Sequence, residues 1–315
     1  MKLRFSYSGR RSESNKAGAK PLVRGQLIPY KRAMERHAIP FRKMNGLGND
    51  FVVLDSRKFN LKLSEAAARA IADRKTGIGC DQLIVLEPSA KADLTMRIFN
   101  NEGGEVESCG NASRCIADLL FAETGKELVT IDTKGGFLSC RKAEGGLVTV
   151  DMGSPRFGWQ EIPLSQPVDD TARVPLAHAG LATPSCVNVG NPHAIFWVKD
   201  AKAFDLAVIG PQLEHHPMFP QRANISLAEV KSPDHIVLSV WERGAGITRA
   251  CGTAACAAGV AAARIGHTQR KTRISLPGGD LFIEWTPDNR ILMTGAVAHE
   301  YDGVLPQPLA GLIAP

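Results

Sequence analysis

Arg243-Gly244-Ala245-Gly246-Ile247-Thr248-Arg249-Ala250-Cys251-Gly252-Thr253-Ala254-Ala255-Cys256 sets one cysteine at the mouth of an alanine-rich helix. From Ala254 to Ala263 no charged side chain interrupts that helix. A helix apolar on every side has to be buried, and its small residues let neighbouring strands come close. A second copy stands earlier in the chain, Ser108-Cys109-Gly110-Asn111-Ala112-Ser113-Arg114-Cys115, with the two Cys-Gly pairs 142 residues apart. The same offset lays Gly48-Asn49 on Gly190-Asn191, Gln82 on Asn224 and Asn100 on Glu242 without a gap. Several polar landmarks at one spacing indicate a duplication. They predict an α+β fold of two pseudo-symmetric lobes, each a curved, mainly antiparallel sheet wrapped around a central helix. A doubly wound parallel fold would need more alternating helices than this chain offers.

The 315 residues exceed the usual size of a single core, in keeping with two lobes. Hydrophobic residues at 44% and charged residues at 22% describe a globular chain rather than a disordered one. No apolar run has the length of a membrane span. The seven cysteines are odd in number and include no C-x-x-C pair, which argues against a disulfide framework and a structural zinc site, so no metal and a cytoplasmic location are expected. The net charge of +6 invites a nucleic-acid partner, but residues 1–36 alone carry +8, leaving −2 for the rest. No nucleic-acid and no membrane partner is therefore expected. The basic leader, 1–36, reads as unstructured, with Met34 as a candidate true start. The N-terminal lobe is expected over 37–152, completed by the C-terminal strand 298–310, and the C-terminal lobe over 153–297.

Helices are expected at 64–73, from Cys109 to about Glu123 before Gly125, at 205–215 despite Pro211, and from Cys251 to about Ile265. Strands are expected near 51–55, 82–87, 94–99, 128–133, 137–142, 147–151, 224–230, 234–242, 273–285 and 291–301, with another following the Asn188–His193 loop.

A free thiol is only a few per cent ionised at neutral pH, and helix N-terminal N–H groups stabilise its anion. Glycine at the next position lets the backbone approach a ligand, and the same N–H groups can hold a carboxylate. Two such thiols facing one cleft could remove an α-proton from one side of an amino acid and return one from the other. The residues thus suggest a racemase or epimerase working with one thiolate and one thiol. Cys80, Cys115, Cys140, Cys186 and Cys256 lack that context and read as small buried hydrophobes.

Six blocks in order, Met44-Asn45-Gly46-Leu47-Gly48-Asn49-Asp50-Phe51, Gly77-Ile78-Gly79-Cys80-Asp81-Gln82-Leu83, Cys109-Gly110-Asn111-Ala112, Gly190-Asn191-Pro192-His193, Glu242-Arg243-Gly244-Ala245-Gly246 and Ala250-Cys251-Gly252-Thr253, resemble the signature of the diaminopimelate epimerases. The resemblance runs from about Phe41 to Gly303. It implies a cofactor-independent epimerase that converts LL-2,6-diaminopimelate to the meso isomer in lysine and cell-wall biosynthesis, and a homodimer whose lobes close on this small-molecule substrate. It further implies that Cys109 and Cys251 are the acid/base pair and that His193 and Glu242 tune them. Asn49, Gln82, Asn100, Asn191, Asn224, Glu242 and Arg243 match substrate contacts, while Gly110-Asn111 and Gly252-Thr253 match the cradle of the reacting carboxylate.

Two positions depart from the family pattern. Ile247 stands where an acidic residue is common, on the turn, and Ala254 where glycine is common, inside the helix. Neither removes a thiol or a donor that the chemistry needs. A related two-cysteine racemase of the proline or hydroxyproline type is a second reading. A binding protein with a reversible Cys109–Cys251 disulfide is a third. For His193 a turn brace, and for Glu242 with Arg243 a surface ion pair, are the plainer alternatives.

Overall fold

Strand register carries the internal duplication. The fold is a computed structural model that describes residues 38–107 and 109–314; the expectations about the basic leader and Met34 lie outside the described residues. The first half contains β1 (Pro40–Gly46), β2 (Asn49–Asp55), β3 (Gln82–Glu87), β4 (Leu94–Asn100), β5 (Glu105–Val106), β6 (Leu128–Thr133), β7 (Gly136–Lys142) and β8 (Val148–Asp151). The second contains β9 (Ala177–His178), β10 (Leu181–Ala182), β11 (Ser185–Asn188), β12 (Pro192–Trp197), β13 (Asn224–Ser232), β14 (His235–Glu242), β15 (Gly246–Ile247), β16 (Lys271–Leu276), β17 (Gly279–Trp285) and β18 (Ile291–Gly295). Phe51 pairs with Gln82 and His193 with Asn224, both in parallel; Leu83 faces Phe99 and Ile225 faces Trp241, both antiparallel. Each second-half partner is its first-half counterpart displaced by the repeat offset.

The two half-sheets join where β8 pairs with β18, forming one continuous 17-stranded sheet. Its parallel pairings are β2 with β3, β4 with β6, β12 with β13 and β14 with β16; the remainder are antiparallel. A last strand, β19 (Ala298–Val304), leaves the second half and pairs with β1.

The helices, in chain order, are α1 (Ser56–Phe59), α2 (Glu65–Ala72), α3 (Gly110–Thr124), α4 (Leu206–Glu214), α5 (Gly252–Arg264) and α6 (Gln307–Ala310). The sheet of the first half wraps α3, whose Ile116, Ala117, Leu120 and Phe121 pack with Ile84, Met96, Ile98, Val129 and Val150. In the second half α5 lies among Ile236, Leu238, Val240, Ile274 and Ile283, with ten of its thirteen residues buried. Gly259 explains how close the strands come, since a Cβ there would sit 3.0 Å from Cγ2 of Ile283. This is the α+β fold of two lobes that the duplicated sequence predicts.

Both faces of the central strands are covered. Ile84 and Leu86 of β3 face α3, whereas Leu83 and Val85 face α2, which Ser64 caps by accepting from the Ala67 N–H at 3.2 Å. Burial on two faces accounts for the unbroken apolar run in β3. In the second half, Ile225 and Leu227 of β13 turn to α4, which tolerates Pro211, while Ala228 turns to α5.

Two sequence expectations need correction. The run 273–285 is a hairpin of β16 and β17, because Pro277-Gly278-Gly279 turns the chain and Gly279 adopts φ 139°. The run 291–301 is likewise divided into β18, which pairs with β17 and β8, and β19, which pairs with β1. Asp55, by accepting from the Arg57 N–H, also starts the short helix α1, which periodicity did not reveal.

Candidate active site

Each thiol of the repeated motif lies where an extended chain becomes a helix. Cys109 (φ −147°, ψ 110°) precedes α3 and Cys251 (φ −121°, ψ 107°) precedes α5, and neither side chain caps its helix. Their carbonyls begin the helical hydrogen bonds, accepting from Ser113 N at 2.9 Å and Ala255 N at 3.1 Å. The sulfurs are left beside the first-turn N–H groups.

The two helix starts meet across the lobes. Nδ2 of Asn111 donates to the Ala250 carbonyl at 3.4 Å, and Met293 of β18 packs against both motifs. A Cβ on Gly110 would stand 2.5 Å from Cε of Met293, and one on Gly252 would stand 3.0 Å from its Sδ. A side chain at either glycine would displace Met293. The Leu47–Gly48 turn adds a second junction, packing on Arg249, Gly278 and Gly279 of the other half.

Around Cys109, Asn49 Oδ1 accepts from the thiol at 3.7 Å and from Asn111 Nδ2 at 3.4 Å, while Asn49 Nδ2 donates to Asp81 Oδ2 at 3.1 Å. Asp81 therefore decides which end of that amide faces the sulfur. Asp81 is itself held by Arg74 at 2.7 Å, and Arg74 also binds Asp50, which pairs with the buried Lys43 at 2.6 Å.

Around Cys251 a relay of polar groups runs inward. Sγ lies 3.5 Å from Thr253 Oγ1, which accepts from Asn191 Nδ2 at 3.4 Å, and Asn191 Oδ1 lies 2.8 Å from His193 Nε2. With Asn191 Oδ1 as acceptor, His193 must carry its proton on Nε2. Glu242 accepts from the Thr248 hydroxyl and interacts with the Cys251 thiol beside it.

Cys109, Cys251, Asn49, Asn111, Gly110, Gly252, Thr253, Asn191, His193 and Glu242 are thus brought together. Three amides at the margin are differently engaged. Asn100 Oδ1 accepts from Glu102 N and Gly104 N, at 3.1 and 2.8 Å, and Asn224 spans Pro192 O and Arg243 N, both at 2.9 Å. Gln82 keeps Oε1 buried without a partner. Arg243 is exposed, donates to Gln221 O at 3.1 Å and makes no ion pair among the described residues, so the surface pair with Glu242 does not form.

Burial raises the Cys109 thiol above its ordinary pKa, while the N–H groups of Ala112 and Asn111 and the Arg114 charge pull it back. Cys251 is driven well above that value by burial and by Glu242. Glu242 is raised by burial, against the Thr248 hydroxyl. The five remaining cysteines are all buried.

His193 is fully buried, and burial followed by the Arg243 charge lowers its pKa to about 3. Because the folded pKa lies below the unfolded value near 6.5, its contribution to stability is complete above about pH 6.5 and is lost as pH falls toward 3. Urea unfolding from pH 7 to 4 should show a loss approaching about 1.4 kcal/mol per pH unit from this group. His193→Gln should remove that part of the slope; an unchanged slope would show that the ring is not buried neutral.

Several contributors escaped the sequence reading. Asp81 lies in the Gly77–Leu83 motif, where nothing local signals that it orients Asn49. Thr248 lay among turn residues. Glu214, which accepts from Trp241 Nε1 at 2.7 Å and Gly244 N at 3.0 Å and so braces the turn carrying Arg243, sits in a helix far along the chain with no local signal.

A family model described as diaminopimelate epimerase matches residues 41–158 and 185–300. The chain belongs to the diaminopimelate epimerase family. It is 56% identical over 271 residues to a diaminopimelate epimerase of Rhodospirillum centenum, covering 85% of this chain and 93% of that one. It is 52% identical over 266 residues to one of Erythrobacter litoralis, covering 84% and 96%. Among solved structures, a hydroxyproline epimerase from Agrobacterium vitis superposes with a TM-score of 0.60 at 13% identity, covering 87% of this chain and 95% of that one. A predicted epimerase from Pseudomonas aeruginosa gives 0.61 at 19%, covering 85% and 99%. These two likenesses extend the fold beyond the diaminopimelate epimerases. Membership of that family makes the chain an isomerase, an amino-acid epimerase.

Proposed function

We propose that this chain interconverts LL- and meso-2,6-diaminopimelate by two-base proton transfer between Cys109 and Cys251, without a cofactor. The observation that carries the reading is the meeting of two cysteine-led helix starts under Met293. The reacting carboxylate is held by the first-turn N–H groups of both helices at Gly110-Asn111 and Gly252-Thr253. One sulfur, as thiolate, takes the α-proton; the electron pair left on carbon delocalises into the carboxylate, and the opposite thiol delivers its proton to the other face. The thiol and thiolate have then exchanged places, and the reverse reaction starts from the new arrangement.

Glu242 neighbours the substrate amine, and Arg243, free of carboxylates, takes the distal carboxylate. Asn49, Gln82, Asn100, Asn191 and Asn224 orient the ligand through neutral amides, directly or through the turns they hold. His193 acts through Asn191 and Thr253 on Cys251. The lobes divide at about residue 152 and open and close around the substrate, the chain works as a homodimer, and its setting is the cytoplasm, where both thiols stay reduced. Among the described residues no helix is long and apolar enough to cross a membrane.

The test is solvent deuterium incorporation at the α-carbon of diaminopimelate under reducing conditions, with proline and hydroxyproline as competing substrates. Exchange into diaminopimelate alone is expected. Exchange into the cyclic amino acids instead would favour the racemase reading, and no exchange into any of them would leave a redox-responsive binding protein.

A further inference from the structure

Among the described residues Arg114 is the largest side chain fully withdrawn from solvent, at 0% exposure. It lies in the second turn of α3, and helical side chains lean toward the N-terminus, so its guanidinium reaches back toward the Cys109 motif. There it fits between the halves. Nη1 lies 3.7 Å from Met293 Sδ, a Cβ on Gly295 would stand 3.1 Å from Nε, and one on Gly46 would stand 3.5 Å from Nη2.

No carboxylate pairs with it among the described residues, and Nε and Nη2 have no hydrogen-bond partner. A buried, uncompensated cation is costly, and the N-terminal end of a helix is the wrong end for positive charge. The titratable groups around it are thiols from three elements, Cys109 and Cys115 with α3, Cys140 on β7 and Cys256 on α5. Burial drives Cys115, Cys140 and Cys256 up to about 12, so they stay neutral. Cys109 alone is partly open to the cleft, where Glu242 is the opposing negative charge.

We propose that Arg114 is a positioning residue whose guanidinium, held behind Met293, supplies the fixed positive charge that offsets the anion formed in the cleft, the Cys109 thiolate and the carboxylate bound beside it. The inference rests on the two-thiol reading. It explains why a charge without a carboxylate partner is kept in the seam between the lobes.

The test compares wild type, Arg114→Met and Arg114→Lys by the pH dependence of Cys109 alkylation with iodoacetamide, resolved by peptide mass spectrometry. Circular dichroism establishes folding. Arg114→Met should move the midpoint upward by at least about 1 pH unit, and Arg114→Lys should restore most of it. The acid limb of the α-proton exchange rate should move with it, costing about tenfold below the midpoint and recovering above. A folded Arg114→Met with an unshifted midpoint would overturn the proposal, since a purely structural role lowers the rate equally at every pH. If Arg114→Met does not fold, the guanidinium Nε resonance of Arg114 in the wild-type enzyme is followed by NMR. It should titrate with the alkylation midpoint and cease to do so in Cys109→Ser; a resonance indifferent to that midpoint would overturn the proposal too. Alkylation does not depend on turnover, so failure of the two-thiol reading shows separately, as full exchange activity in Cys109→Ser.

Discussion

Replacing Cys109 or Cys251 by serine is expected to slow epimerisation by about 10³-fold in both directions, with the fold intact. A hydroxyl is isosteric enough to occupy either helix start, yet its proton is far harder to remove than a thiol's. Each direction of the reaction calls on both sulfurs, one to take the proton and one to give it, so neither substitution can spare one isomer. Cys251 is almost wholly buried, at 4% exposure, against Ala250 and Ala254, where a serine hydroxyl still finds Thr253 and Glu242 within reach. Circular dichroism and thermal unfolding should therefore change little. The rates of deuterium entry from each isomer provide the measurement, and near-normal turnover in either variant would remove the two-base account.

Gly278→Ala should have the next largest effect. Its N–H donates to the Arg249 carbonyl at 2.7 Å, and an added Cβ would collide with the carbonyl oxygen of Leu47 from the other half. The backbone must give way on one side. Movement of the Leu47 turn carries Asn49 away from Cys109; movement of the bend at Arg249 carries Cys251. A displacement of about 1 Å at reacting groups can cost 10²-fold in rate, and overpacking of this kind costs about 1–3 kcal/mol. Turnover and urea unfolding of the same preparation check both effects. Loss of stability with wild-type turnover would show that the junction does not set the spacing of the thiols.

Both helix starts and the doubled architecture could be read from the chain because their causes are local. Alanine-rich apolarity demands burial, Cys-Gly at a helix mouth demands open N–H groups, and a constant offset needs no structure to be seen. The hairpin inside 273–285 was obscured because apolar strands on either side of Pro277-Gly278-Gly279 read as one run when their pairing is unknown. The roles of Asp81, Glu214 and Arg114 were illegible for a related reason. Each depends on contacts between residues far apart in sequence, Asp81 with Asn49, Glu214 with Trp241, Arg114 with Met293. Asn100 and Asn224 share the repeat offset with the thiol motifs or their neighbours, but only the fold reveals that they spend hydrogen bonds on turns.

The pairing of β19 with β1 has a consequence for synthesis. During translation the first half emerges with β2 on one side of β1 and no neighbour on the other until residues 298–304 leave the ribosome. Until then one long strand offers unpaired backbone groups to other chains. Closure of the first lobe must therefore wait for synthesis of the second, a window in which chaperone protection would matter most.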